Sequence, residues 1–315
     1  MNISLEDHHL WAKVSKLYYE DDLTQGEIAK KLGYSRVKIH RILRSAKESG
    51  IVQVHINSPD PGLIDLENQL ILQYNLRDCV VVEDCPPGEE SYLALARGAG
   101  SWLKQHLKPG LRIGLGLGRT ISYLPLAFEV EKEIPCTFTE VAGAVSDHSW
   151  GFESNNIASQ MADIFSGKAE LFYAPTLVST PALKEQLIKE RSVKKSLERA
   201  RSCDVVLQSV GPVDETAILF IQGYISRAEL DDLKKTGAVG DALGCYFDRS
   251  GHLVPAPTDG LMIGLHLSEL VDLPWSVLIG GGPEKIIPID AALKGRYFNV
   301  LVTNLSVAEE LLEKG

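Results

Sequence analysis

Residues Thr24 to Lys47 read TQGEIAKKLGYSRVKIHRILRSAK, two short helical patterns that meet at Gly33. Thr24 is placed to cap the first, with Glu27 three residues on to close a capping box, and Ser35 is placed to cap the second. Set at roughly 100° per residue, Ile39, Ile42 and Leu43 fall on one side of the second helix and Val37, Arg41 and Arg44 on the other. Lys38 and His40 lie on the flanks and Arg36 at the N-terminal tip. The apolar side is expected to pack on Ile28, Leu32 and a preceding helix in which Trp11, Val14, Leu17 and Tyr18 repeat at helical spacing. The pattern predicts a helix-turn-helix within a small helical bundle.

Charge indicates what that bundle faces. Between Lys30 and Lys47 there are seven bases and no acid, although the 315-residue chain carries a net charge of -10. Residues 1–57 hold nine Lys or Arg against seven Asp or Glu, net +2, which leaves net -12 for the remainder. The N-terminal unit therefore suits a polyanion that the rest of the chain would repel. A helix whose first turns carry Arg and a small apolar residue fits the DNA major groove, where Arg can make two hydrogen bonds to guanine and an apolar group can touch a thymine methyl. The expected DNA-binding residues are Thr24, Gln25, Ser35, Arg36, Val37, Lys38, His40, Arg41 and Arg44, with double-stranded DNA as the partner.

The five cysteines form no CxxC pair and no Cys/His spacing suited to zinc, so they read as reduced thiols of a cytoplasmic protein with neither metal nor cofactor. The opening MNISLEDHHLW is too polar for a signal peptide, and no apolar run approaches a membrane span. After an expected strand at Ile51–Ile56, Ser58-Pro59-Asp60-Pro61-Gly62 is the clearest linker. Beyond it Leu63, Leu66, Leu70, Ile71 and Tyr74 make an amphipathic helix that can pair with a copy of itself or pack on its own domain. The expected division is a DNA-binding domain at 1–58 and a second domain at 59–315, with 59–75 as linker and possible oligomerisation helix.

From Cys79 onward strands alternate with helices. The expected strands are Cys79–Val82, Arg112–Leu115, Cys136–Val141, Glu170–Tyr173, Asp204–Ser209, Ser276–Ile279 and Val300–Thr303. Helical patterns cover Ser91–His106, Asn155–Phe165, Ala182–Arg199, Glu284–Lys294 and Val307–Glu313. Short, almost wholly apolar strands separated by helices imply a doubly wound α/β domain with a parallel sheet covered on both faces. Such sheets bind ligands beyond the carboxyl ends of their strands.

Four loops carry candidate ligand chemistry. Gly114-Leu115-Gly116-Leu117-Gly118-Arg119-Thr120 follows a strand and opens a helix, where backbone amides suit a phosphate; its GxGxG spacing is not the dinucleotide fingerprint GxGxxG. Glu140 to His148, with Gly143, Asp147 and His148 and with Trp150 and Phe152 just after, offers an acid, an imidazole and rings to a sugar. Asp241 stands alone in the glycine-rich run Gly237–Gly244, where an unpaired carboxylate would cost several kcal/mol, so it is hydrogen-bonded, used on a ligand, or both. Lys285, after Gly280-Gly281-Gly282, and Lys294 can each supply a fixed positive charge.

With those residues in hand, the chain resembles the SorC/DeoR-type family of sugar-responsive transcriptional regulators, nearly end to end. The resemblance covers LYYEDDLTQGEIAKKLGYSR, IGLGLGRT, SCDVVLQSVGPV, GYISRAEL, GAVGDALGCYFD and the closing GGGPEKI and ALKGRYFNVLVTN. It implies a C-terminal effector domain similar to sugar-phosphate isomerases and CoA transferases, a sugar or sugar-phosphate effector, and a homo-oligomer, dimer or tetramer. Carried over by position, Gly116, Gly118 and Thr120 would hold a phosphate, Lys294 would add charge and Asp241 would hold sugar hydroxyls. The chain departs from the family at Gln208-Ser209, where Val-Gly is common, at Asn304, where Asp is common, and at Ala142-Gly143, where Gly-Gly is frequent. The expected function is control of a carbohydrate or polyol operon, as a repressor released by its inducer. The alternative is a sugar-phosphate-converting enzyme of the same fold; the recognition helix and the lack of a close Asp/His/Glu set argue against it.

Overall fold

The computed structural model describes residues 5–53, 61–128, 133–144 and 157–314. The chain divides into two compact units, Met1–Pro61 and Gly62–Gly315.

In the first unit α1 (Leu5–Tyr19), α2 (Gln25–Leu32) and α3 (Arg36–Glu48) enclose one small core. The Thr24 side chain accepts the Glu27 N–H at 3.3 Å while the Glu27 carboxylate accepts the Thr24 N–H at 2.8 Å, closing the capping box. Gly33 ends α2 at φ 71, a left-handed conformation that a side chain would strain, and Ser35 caps α3 through the Lys38 N–H at 3.2 Å. Val14, Leu17, Ile28, Ile39, Ile42 and Leu43 pack together, the set that the periodicity predicts. At the start of the expected strand Ile51–Ile56, Ile51 and Val52 form a bend; residues 54–60, the rest of that strand and most of the linker, lie outside the described residues.

The second unit opens with α4 (Pro61–Tyr74) and is built on a seven-stranded, all-parallel sheet. Its strands are β1 (Asp78–Val82), β2 (Arg112–Leu115), β3 (Thr137–Glu140), β4 (Lys168–Glu170), β5 (Val205–Gln208), β9 (Trp275–Ile279) and β10 (Val300–Asn304). Strand β6 (Gly211–Pro212), β7 (Gly240–Ala242) and β8 (Cys245–Phe247) form a small antiparallel sheet between β5 and β9 in sequence. The helices of this unit are α5 (Glu89–His106), α6 (Arg119–Ser122), α7 (Ile157–Ile164), α8 (Pro181–Leu187), α9 (Arg191–Arg201), α10 (Ile218–Ile221), α11 (Arg227–Lys235), α12 (Ile286–Lys294) and α13 (Leu305–Glu313). Side chains alternate between two cores: Val205, Leu207, Val277 and Ile279 face one, and Val206 and Leu278 the other.

The strand order is β1-β10-β9-β5-β2-β3-β4. From β2 the chain winds outward to β3 and β4, then returns to β5 on the other side of β2 and winds outward again to β9 and β10. The loops leaving β2 and β5 must therefore diverge, and the crevice between them is the switch point at which such sheets bind ligands.

Three further points differ from expectation. Strand β4 lies earlier than Glu170–Tyr173, because Glu170 is held by Arg112 and Arg199 and the Phe172 N–H turns to the Glu140 carboxylate at 2.7 Å. The single helix expected at Ala182–Arg199 is two helices, broken after Ile188, with Glu190 at the N-cap of the second. The antiparallel sheet was not foreseen, since its strands are only two or three residues long. Of the two readings of the α4 stripe, packing on its own domain is the one observed: Leu70 is fully buried, Leu63, Leu66 and Ile71 pack on the same core, and the Gln73 amide donates to the Leu311 carbonyl at 2.8 Å.

Candidate functional site

On α3, Arg36, Val37, His40, Arg41 and Arg44 are exposed opposite the buried Ile39, Ile42 and Leu43. Val37 is 79% exposed, an unusual position for a β-branched apolar residue unless it meets a partner. Lys38 is half-buried with Nζ 3.8 Å from the centre of the Tyr34 ring, and Arg44 pairs with Glu48 through Nε at 2.8 Å. Thr24 and Ser35 spend their hydroxyls on caps, while Gln25 is half-buried at the first position of α2. The outer face of α3 is therefore basic at its N-terminal half and partly neutralised at its end.

In the second unit a cleft with about 530 Å³ of space opens between the β2 and β5 loops. One wall is Leu117, Gly118 and Arg119, at the start of α6; another is Ser209 and Val210, after β5. Asp241 enters from β7 and Lys285 from the one-turn helix Pro283–Lys285 that leads into α12. The glycines beside these groups leave room for them: a Cβ on Gly211 would stand 2.5 Å from Asp241 Oδ1. Gly282, at φ 96, starts the turn that carries Lys285, and its N–H donates to the Asn304 side-chain oxygen Oδ1 at 3.1 Å.

Lys285 is only 6% exposed, and its Nζ donates to Ser209 Oγ at 3.1 Å. Burial, and then the positive charge of Arg119, pull the Lys285 ammonium down to about 8, against the opposing pull of Glu284 and Asp241. Burial pushes the Asp241 carboxyl up to about 6, while the Gly244 N–H and Lys285 favour its charged form. Two opposite charges held in a small cleft, each disfavoured by burial, are poised to gain from a ligand that supplies an anion to one and hydroxyls to the other.

The structure thus brings Gly118, Arg119, Asp241 and Lys285 together. Thr120 is wholly buried behind the loop, and Gly116 lies under the Gln208 side chain. Lys294 is not in the cleft: it lies at the far end of α12, about 13 Å along the helix from Lys285, and pairs with Asp290 at 2.8 Å. Gly143 is also elsewhere, enclosed by backbone, where a Cβ would stand 2.5 Å from the Pro175 carbonyl oxygen and where its N–H donates to Ile263 at 2.9 Å. Asp147, His148, Trp150 and Phe152 lie outside the described residues. Sequence reasoning missed Gln208 and Ser209 as parts of the cleft, although both stood out as departures from the family pattern.

A helix-turn-helix unit with a basic outer face, on one chain with a parallel-sheet domain whose switch point opens into a charged cleft, defines a ligand-controlled DNA-binding regulator. The sugar-binding-domain family model matches residues 59–313. The chain is 32% identical over 305 residues to the transcriptional regulator LsrR of Escherichia coli K12, covering 96% of this chain and 93% of that protein. It is 28% identical over 308 residues to the deoxyribonucleoside regulator of Bacillus subtilis, covering 98% of each. Among solved structures, the full-length sorbitol operon regulator SorC of Klebsiella pneumoniae superposes with a TM-score of 0.74 at 29% identity, covering 99% of this chain and 100% of that one. The chain belongs to the SorC/DeoR-type family of sugar-binding transcriptional regulators. It is a regulator and not an enzyme, and none of its described helices is long and apolar enough to cross a membrane.

Proposed function

We propose that the chain is a cytoplasmic repressor of a carbohydrate or polyol operon, which binds its operator as a homo-oligomer and leaves it when a sugar or sugar phosphate enters the β2/β5 cleft. Arg36, Val37, Lys38, His40 and Arg41 read the operator, with Arg44 on the backbone side and Thr24, Gln25 and Ser35 presenting helix starts to phosphates. In the cleft Lys285 and Arg119 meet the anionic end of the effector, the amides from Gly118 onward support it, and Asp241 accepts hydrogen bonds from hydroxyls. The observation that carries this reading is that buried Lys285 and half-buried Asp241, two opposite charges, line one cleft at the switch point.

The test is a thermal-shift screen of the whole chain against sugars, polyols and their phosphates, followed by operator titration with each compound that shifts the melting temperature. A ligand that binds only the folded state raises stability. One compound should raise the midpoint in wild type but not in Asp241→Ala or Lys285→Met, and should weaken operator binding. A compound that shifts both variants as it shifts wild type would place the effector elsewhere.

A further inference from the structure

Strands β2 and β5 run side by side with Leu115 opposite Leu207, and one more ladder bond follows, from the Gly116 N–H to the Leu207 carbonyl at 2.9 Å. Past that bond the strands part to open the cleft, and Leu117 loses its neighbour strand. The Gln208 side chain takes the place of that neighbour. Leu117 donates its N–H to Gln208 Oε1 at 3.0 Å, and Gln208 Nε2 donates back to the Leu117 carbonyl at 3.0 Å and to the Ser209 carbonyl. The three partners fix the orientation of the carboxamide, because the reversed form would set its NH₂ against an N–H and its oxygen against two carbonyls. Gln208 is 2% exposed, so loss of these bonds would leave buried polar groups unmatched.

Gly116 completes the arrangement. It is not among the residues with positive φ, so its backbone conformation does not call for glycine. A Cβ there would overlap Gln208 Oε1, lie 2.8 Å from Gln208 Cδ and stand 3.1 Å from the Leu207 carbonyl oxygen, a tight contact but a far milder one. What requires glycine at this position is the room taken by the Gln208 carboxamide. By contrast Gly118, at φ 149 and facing Ser209, is held by its own conformation and lines the cleft.

We infer that Gln208 is a positioning residue of the cleft: its carboxamide replaces the ladder rung lost where β2 and β5 part, and Gly116 is glycine to house that carboxamide and not a ligand. The Leu117 N–H is then spoken for, and the ligand's anionic end is met only from Gly118 onward, together with Lys285. This last step rests on the reading of the cleft as the effector site; the strut itself does not.

The experiment has a ligand-free part and a ligand part, both on the full chain. Hydrogen exchange at the Leu117 amide should accelerate about tenfold or more in Gln208→Leu and Gln208→Ala, while the Ile113 amide inside β2 keeps its protection. In a thermal-unfolding cycle Gly116→Ala should lower the midpoint sharply in wild type and much less in the Gln208→Ala background, where only the 3.1 Å contact with the Leu207 carbonyl oxygen remains. An unchanged Leu117 exchange rate in Gln208→Leu would overturn the inference, and so would equal, additive penalties for Gly116→Ala in both backgrounds. If Gly116→Ala alone does not fold, the exchange measurement on Gln208→Leu decides. In the ligand part, fructose 6-phosphate and inorganic phosphate serve as probes. Binding of a probe that survives in Gly116→Ala/Gln208→Ala, weakened by loss of the strut, supports Gly116 as a housing residue. Abolished binding there, with the fold intact, would return Gly116 to direct ligand contact and overturn that half of the inference. A wild type that binds no sugar or phosphate at all would count against the proposed effector site and leave the exchange and unfolding results to judge the strut.

Discussion

Tyr74 donates its phenolic hydrogen to Asp290 at 2.8 Å, joining α4 to α12 across 216 positions of sequence. The same carboxylate accepts Lys294 Nζ at 2.8 Å through its other oxygen. Burial, and then the carboxylate itself, hold the Tyr74 hydroxyl well above the usual phenol range, so it stays a donor at any ordinary pH. Helix α12 begins where Lys285 enters the cleft, and α4 is the first helix of the unit that follows the DNA-binding one. Tyr74→Phe should therefore cost about 1 kcal/mol in urea unfolding. Lys294→Ala, whose side chain is 41% exposed, should cost less than about 1 kcal/mol and leave effector affinity unchanged. Loss of effector binding in Lys294→Ala would revive the expectation that this lysine serves the ligand.

A second prediction separates the two faces of α4. Leu70 is fully buried against the domain core, whereas Leu72 is 82% exposed. Leu70→Ala should destabilise the second unit by about 2–5 kcal/mol, as a large-to-small change in a packed core does. Leu72→Ser should be within about 0.5 kcal/mol of wild type in dilute solution, and denaturant midpoints would compare the two directly.

What could be read from the sequence follows the strength of each local signal. The caps at Thr24 and Ser35, the stop at Gly33 and the face of Ile39, Ile42 and Leu43 all concern neighbours within a few residues, and all stand where periodicity and capping rules set them. The sheet strands were legible because they are apolar on both sides, as in Val205-Val206-Leu207, and a parallel sheet leaves little else possible. Polar β4, Lys168-Ala169-Glu170, gave no such signal. Asp241 and Lys285 were recognisable as charges inside glycine-rich, apolar runs. Lys294 sat in an equally suggestive run, but only the direction of α12 shows that it points away from the cleft. Gln208 was visible as an unusual residue, yet its part in bridging diverging strands depends on their order in the sheet, which no local pattern encodes.

The cleft should also set a pH dependence. An anionic effector needs Lys285 charged, so its affinity should fall as pH rises through about 8. If Asp241 accepts hydroxyl hydrogen bonds as a carboxylate, affinity should fall again as pH drops through about 6. For the ligand-free protein the signs run the other way. Asp241, raised from 3.8 to about 6, contributes stability that is present below 3.8 and lost as pH rises through 6. Lys285, lowered from 10.5 to about 8, contributes stability that is present above 10.5 and lost as pH falls through 8. Calorimetric titration across pH 5 to 9 should give a bell for the effector, roughly between those two values. A flat profile in wild type would show that neither group changes charge on binding.

The last prediction concerns the basic face of α3. Arg41 is exposed opposite Ile39, Ile42 and Leu43, and no acid stands between Lys30 and Lys47. Arg36→Ala or Arg41→Ala should weaken operator binding by about 1–3 kcal/mol if these residues read bases, and should relax the sequence preference at the position each one contacts. Arg44→Ala should do less, because Arg44 is already engaged by Glu48 at 2.8 Å and would have to break that pair to reach DNA. Wild-type affinity should fall steeply with salt, and removing a phosphate-contacting base should reduce the slope by about one. Thr24→Ala acts differently: it removes the capping box of α2 and should cost about 1 kcal/mol of stability in the first unit before any effect on DNA is counted. Anisotropy titrations over a salt series, on variants first shown to be folded, distinguish the two kinds of loss. Operator affinity that is indifferent to salt, and equal in wild type and Arg41→Ala, would remove α3 from the DNA interface.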